Sequence, residues 1–219
     1  MALSKLTYNS LNVTAAAGSA VSFDSGADDL STIGGGSIIF IKKLTASSSA
    51  TVSFVDGTSD VVLDDTYKEY LFTFNNIHGE TDNQDFQFQG NAAGGSGYDE
   101  TITSTFFIGQ HDEADTYTSL EYQAARDLAE GTGFQSLSTA INSGDADSGF
   151  SGYLRLFNPS STTYTKHFTA RGNNAANSDY SVNCFVAGYF NTTSAIDEIQ
   201  FKIASGDIDS GDICLYGIN

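Results

Sequence analysis

The chain has 219 residues, enough for one all-β domain with a substantial core, and is rich in Phe (16), Tyr (11) and Gly (22) with one Met and one Pro. Nine Lys and Arg against 27 Asp and Glu give a formal net charge of −18. That charge repels phosphate backbones and anionic head groups, so nucleic acid and membrane surfaces are poor partners. No stretch approaches the roughly 20 apolar residues of a membrane span, and MALSKLTYNS lacks a secretory apolar region; synthesis in a cytoplasm is expected.

Residues 1–37 are polar and Ala/Ser/Gly-rich and end in Gly34, Gly35 and Gly36. Such a stretch is expected to be an arm or an edge strand followed by a flexible turn, and it is assigned as an attachment segment ahead of a β-sandwich over residues 38–219. Strands are predicted over residues 37–44, 51–55 and 61–63. Tyr70, Phe72 and Phe74 then share one parity, and Phe86 and Phe88 repeat the pattern after the turn GETDNQ. Ile102 and Phe106 alternate with Thr101, Thr103 and Thr105. Residues 119–130 (SLEYQAARDLAE) carry Leu120, Ala124 and Leu128 at helical spacing and are predicted as one short helix or an ordered loop.

Further strands are predicted over residues 134–140, 149–157, 164–170, 182–190, 198–204 and 212–217, with a turn over residues 207–212. Residues 182–190 are apolar on both parities, which predicts a central strand covered on both faces. Phe72, Phe74, Phe106, Leu154, Phe185 and Phe201 are the predicted core. About ten strands without βαβ alternation predict an all-β, antiparallel β-sandwich of jelly-roll type with at most one short helix.

Sites of chemistry are hard to find. Carboxylate pairs such as Glu80 with Asp82 or Asp145 with Asp147 are too common in so acidic a chain to single out a glycosidase, which needs two carboxyls roughly 5–10 Å apart across a cleft. Asp207, Asp209 and Asp212 resemble the start of a calcium loop, but Gly211 stands where a ligand should and the distant Glu is missing. An Asx-type turn explains both Asp-rich segments better. His78, His111 and His167 are isolated and read as structural. Cys184 and Cys214 lie in predicted strands and read as buried free thiols. Arg155, inside SGYLRLF, needs a carboxylate partner or an exposed face. No catalytic, metal or cofactor site is assigned, and no cofactor is expected. Tyr98, Tyr117, Tyr122 and Tyr164 are the candidate surface contacts: they would stack on host sugar rings, or else pack in the core or a subunit interface.

The closing run IDEIQFKIASGDIDSGDICLYGI, with YLFTFNNIHGETDN, YDETITSTFF, SGYLRLFNPSSTTYTKHFTAR and YSVNCFVAGYFNTTSAIDEIQ before it, resembles structural proteins of tailed bacteriophages. The likeness runs from about residue 65 to the end and is to tail-fibre-associated and other virion proteins of marine, cyanophage-like phages. That family's motifs carry no catalytic residues. The resemblance implies a non-enzymatic virion structural protein of the tail-fibre or receptor-binding apparatus, made in the host bacterial cytoplasm and serving host attachment. Its implied partners are itself, as a homotrimer, other virion proteins, and a host surface glycan or protein. A capsid decoration or head-fibre protein is the alternative, and a carbohydrate-active depolymerase a third reading.

Overall fold

Strict alternation of apolar and polar side chains organises the molecule: along Lys166–Ala176 buried and exposed residues alternate for ten positions, the signature of a strand with one face on a core. The computed structural model describes residues 21–23, 30–32, 37–177 and 179–219. It divides into two units, Met1–Ile39 and Phe40–Asn219. In the first, β1 (Val21–Phe23) pairs antiparallel with β2 (Leu30–Thr32). The attachment role expected of residues 1–37 falls mainly outside the described residues.

β3 (Ile38–Ser49), which belongs to the second unit from Phe40 on, is followed by β4 (Val52–Val55), β5 (Glu69–Gly79) and β6 (Phe86–Ala92). Then come β7 (Ile102–Asp112), β8 (Thr118–Tyr122), β9 (Gln135–Ser136), β10 (Phe150–Phe157) and β11 (Lys166–Ala176). β12 (Tyr180–Phe190), β13 (Ile196–Ile203) and β14 (Ile208–Ile218) complete it. These strands form two sheets, an eight-stranded one in the order β3-β14-β5-β10-β11-β12-β7-β8 and a four-stranded one in the order β4-β13-β6-β9. The ladders with resolved register are antiparallel. Pairing is nested: β3 with β14, β4 with β13, β5 with β10 and β6 with β9. The hairpins β7-β8 and β11-β12 stand outside the nest and widen the larger sheet beyond β10.

The core between the sheets is aromatic. Phe201 of β13 lies 5.2–6.4 Å, ring centroid to centroid, from Phe54, Phe72, Phe74, Phe86 and Phe88. Most of these contacts are edge-to-face, the geometry the ring quadrupoles favour. Of the predicted core residues, Phe72, Phe74, Phe106, Leu154 and Phe201 are all at most 1% exposed. Phe185 is not among them: it is only partly buried and sits on the opposite parity of β12 from buried Val182, Cys184 and Val186.

Three further expectations are corrected. Of the two alternatives for residues 119–130 the helix is not formed: residues 119–122 lie in edge strand β8, paired with β7 from His111↔Thr118 to Phe107↔Tyr122, and residues 123–130 form an ordered loop that opens on a tight turn in which Arg126 N–H donates to the Gln123 carbonyl at 2.9 Å. The ladder with β7 offers this stretch more backbone partners than a single helical face of three small or branched residues. Leu120 ends 76% exposed. Residues 207–212 are not simply a turn, since β14 already starts at Ile208 and absorbs the Asp-rich stretch in two register shifts, with Gly211 at φ 128°. And β12, although flanked by β11 and β7, is covered by this chain on its inner face only.

The two outer faces differ. That of the four-stranded sheet is roofed over β6 by connections, while β4 and β13 keep partly exposed outward residues: Gln89, fully buried, donates from Nε2 to the carbonyls of Glu100 (3.0 Å), Thr132 (3.3 Å) and Gly133 (2.9 Å). A buried amide so satisfied costs little and holds two loops down on β6. The outer face of the larger sheet from β10 to β8 alternates polar and apolar residues that remain partly or fully exposed.

Candidate interaction surface

On that outer face one cross-strand row is aromatic. Its registers run Tyr122↔Phe107, Phe107↔Phe185, Phe185↔Arg171 and Arg171↔Tyr153. Phe107 and Phe185 are stacked with centroids 4.8 Å apart and planes 6° from parallel. The separation equals the spacing between neighbouring strands, so the rings stand upright side by side with their edges to solvent. The Arg171 guanidinium carbon lies 4.9 Å from the Phe185 centroid, and its Nε donates to Asn183 Oδ1 at 3.2 Å. A planar cation over a ring face is a favourable electrostatic contact.

Two residues along the strands, Thr105, Ala187 and Thr169 make a low row, and beyond it His167 and Tyr189 rise again with centroids 5.7 Å apart. Depressions of about 370 and 360 Å³ lie along this trough and share Thr169 and Ala187. Four of the eight exposed large apolar side chains among the described residues, Phe107, Leu120, Tyr122 and Tyr153, belong to this face.

No outward position of β10, β11, β12, β7 or β8 is Asp or Glu, in a chain that carries 27 of them. Carboxylates reach the face only at its rim. Glu69 Oε1 lies 2.6 Å from Arg155 Nε, giving that arginine the partner its sequence context demands. Asp115 meets His111 at 3.2 Å, and Asp127 accepts the Tyr122 hydroxyl at 2.5 Å.

The four candidate tyrosines do not form one platform. Tyr117 precedes edge strand β8 and Tyr122 ends it, Tyr98 lies in the β6-β7 connection and Tyr164 in the β10-β11 connection. Three of their hydroxyls donate to carboxylates: Tyr98 to Glu198 at 2.8 Å, Tyr117 to Glu121 at 3.0 Å and Tyr122 to Asp127. Burial raises the Tyr98 pKa above the usual phenol value and its carboxylate neighbours add to the shift, while for Tyr122 the hydrogen bond to Asp127 is the main cause. Tyr164 is 69% exposed, and its carbonyl accepts from Lys166 Nζ at 2.9 Å. Lys166 is wholly buried, and that burial lowers its pKa. Sequence reasoning noted Arg171 for its rarity but passed over Phe107, Tyr153 and Tyr189 as surface residues. For Phe107, Tyr153 and Arg171 the signal was parity, since each shares the polar side of its strand with Thr, Asn or Ser; Tyr189, in doubly apolar β12, had no such signal.

The acidic candidates hold the framework. Asp82 Oδ1 accepts from the backbone N–H of Ser143 (2.9 Å) and Gly144 (3.2 Å), and Glu80 from that of Asp207 (3.1 Å). Asp145 accepts from Asn142 Nδ2 at 2.8 Å, and Asp212 pairs with Lys43 at 3.1 Å, tying β14 to β3. Arg126 grips Asp85 through two hydrogen bonds of 2.7 and 3.1 Å. Among the described residues no group of three His, Cys, Asp or Glu is arranged to hold a metal ion. Cys184 and Cys214 are buried and unpaired, and burial pushes the Cys184 thiol up to about 12.

Asp112 positions the edge of the exposed face. It accepts the backbone N–H groups of Thr116 and Tyr117, both at 2.8 Å, and the Thr116 hydroxyl, closing the β7-β8 hairpin. These bonds, that of the Thr116 hydroxyl first, hold its pKa below the ordinary carboxylate value. A depressed folded-state pKa contributes stability above the unfolded value of about 3.9, and this is lost as pH falls through the folded value. Asp112→Asn should therefore lower the melting temperature most near neutral pH and progressively less below about pH 4. A constant gap across the acid limb of a melting-temperature titration would contradict this.

Comparison with protein-family models, with curated proteins and with solved structures finds no match for this chain.

Proposed function

We propose that this chain is a non-enzymatic structural protein of a tailed-phage particle, a jelly roll that self-associates and docks on other virion proteins within the tail-fibre or receptor-binding apparatus. The observation that carries the reading is the exposed, acid-free aromatic face on an otherwise strongly acidic sandwich, a surface suited to protein contact. The jelly-roll assignment is supported by the nested pairing: β3-β14-β5-β10 against β4-β13-β6-β9 is the order a long antiparallel ribbon adopts when it rolls into two Greek keys. The likeness to phage virion proteins rests on segments that supply β5, β7 and β10 to β14. A structural role is further supported by the carboxylates, which bind backbone amides and cations of the framework.

Labelling of purified particles with an antibody to this chain tests the placement. Signal on the tail fibres is expected; signal on the head would favour a capsid decoration protein, and unlabelled particles would refute the virion reading. Turnover of host polysaccharide by the purified protein would overturn the non-enzymatic assignment. Deletion of residues 2–36 is expected to give a soluble protein that no longer enters particles, because that Ala/Ser/Gly-rich stretch supplies few large apolar groups to a core. Truncated protein found in its place on the particle would refute the attachment role.

A further inference from the structure

We infer that the outer face of β10-β11-β12-β7-β8 is the surface through which this chain binds a second copy of itself. This deepens the self-association in the reading above by naming its site, and it stands on the geometry of the face alone.

Charge restricts where two copies can meet. At a formal net charge of −18, most surfaces of one molecule repel the same surfaces of another, and like charges brought together out of water are costly. The five-strand face presents no outward carboxylate, while Arg171 places a cation on it and Arg155 a second, paired with Glu69 at the rim. Two such faces meet without opposing acids across their middle, since the carboxylates Glu69, Asp115 and Asp127 stand only at the rim.

Shape and size agree. The aromatic row through Phe107 and Phe185 is a ridge, and the row of Thr105, Ala187 and Thr169 is a trough one step of about 7 Å further along the strands. A second face displaced by that step lays its ridge into the trough of the first. Five strands about 4.8 Å apart and about eight residues long present roughly 650 Å², close to the roughly 800 Å² that each partner contributes to a standard interface.

The rings also discriminate between occupants. A sugar stacks on the face of an aromatic ring, but Phe107 and Phe185 turn their faces to each other, and Arg171 covers Phe185. Edge-out rings suit interdigitation with protein side chains.

The test is the native mass in solution by light scattering at about physiological salt, on the full chain and on variants of the face. The wild type is expected at a multiple of 23.2 kDa. Ala187→Glu, which places a carboxylate in the exposed trough, should shift it to a single 23.2 kDa species with unchanged circular dichroism. Should that variant misfold, Phe185→Ser serves as the second, and amide exchange of the wild type at low and high concentration as an independent readout: protection that rises with concentration on β7, β11 and β12 supports the inference. A wild type that stays monomeric at about 100 μM, or face variants that keep the wild-type mass, overturns it. A monomer that binds host glycan and loses binding with Phe185→Ser assigns the face to sugar instead. A monomer that still labels particles refutes the self-association face while leaving the particle reading intact.

Discussion

Removal of residues 212–219 is expected to leave a chain with no cooperative unfolding transition. β14 lies between β3 and β5, so the deletion exposes the backbone of both neighbours at once. It also takes away Ile213 and Leu215, both fully buried and opposite Phe74 and Phe72 of the core. Each large buried aliphatic is worth about 2–5 kcal/mol, and with the lost ladder and the Lys43–Asp212 pair the sum reaches the roughly 5–15 kcal/mol that stabilises a whole domain. The expected product is insoluble, or soluble with a flat thermal scan in near-ultraviolet circular dichroism. A truncated protein that melts in one sharp step would show that β14 is dispensable.

Phe201→Ala is expected to have the largest effect of any single substitution in the core. Its ring contacts five other phenylalanines from β4, β5 and β6, so the cavity is lined from both sheets and cannot collapse by moving one strand. A loss of about 3–5 kcal/mol follows, or a fall of roughly 6–20 °C in melting temperature for a domain of this size. Phe185→Ala is the matched control: it loses one stacked neighbour and one cation contact on a wet face, about 1 kcal/mol in the monomer. Urea titrations of both variants decide the matter, and equal midpoints would refute the assignment of Phe201 to the core and Phe185 to the surface.

Alternation was a dependable guide wherever one face of a strand meets the core. Tyr70, Phe72 and Phe74 read as inward because the three aromatics share one parity while Glu69, Thr73 and Asn75 take the other, and the structure buries the aromatics. It failed where both parities are apolar: in β12, Phe185 carries the same local signal as Val186, and only the register with Phe107 and Arg171 puts it on the outside. Residues 119–130 failed for a related reason. Leu120, Ala124 and Leu128 fit a helix in isolation, but the free edge of β7 was available, and strand pairing satisfied the backbone instead. Of the candidate tyrosines Tyr117, Tyr122 and Tyr164 are exposed, and the carboxylate partners that hold Tyr98, Tyr117 and Tyr122 apart as separate contacts were not legible.

The amino-acid sequence by itself determined the all-β class and most of the buried face of each strand, because periodicity and residue type are local properties that burial selects strand by strand. Only the tertiary structure decided which strands are neighbours, which outer face is roofed by Gln89 and its loops, and which is left bare and free of acids. The reason is physical: the bare face is assembled from β7, β8, β10, β11 and β12, segments separated along the chain, and its charge pattern exists only once hydrogen-bonded registers have brought Phe107, Phe185, Arg171 and Tyr153 into one row.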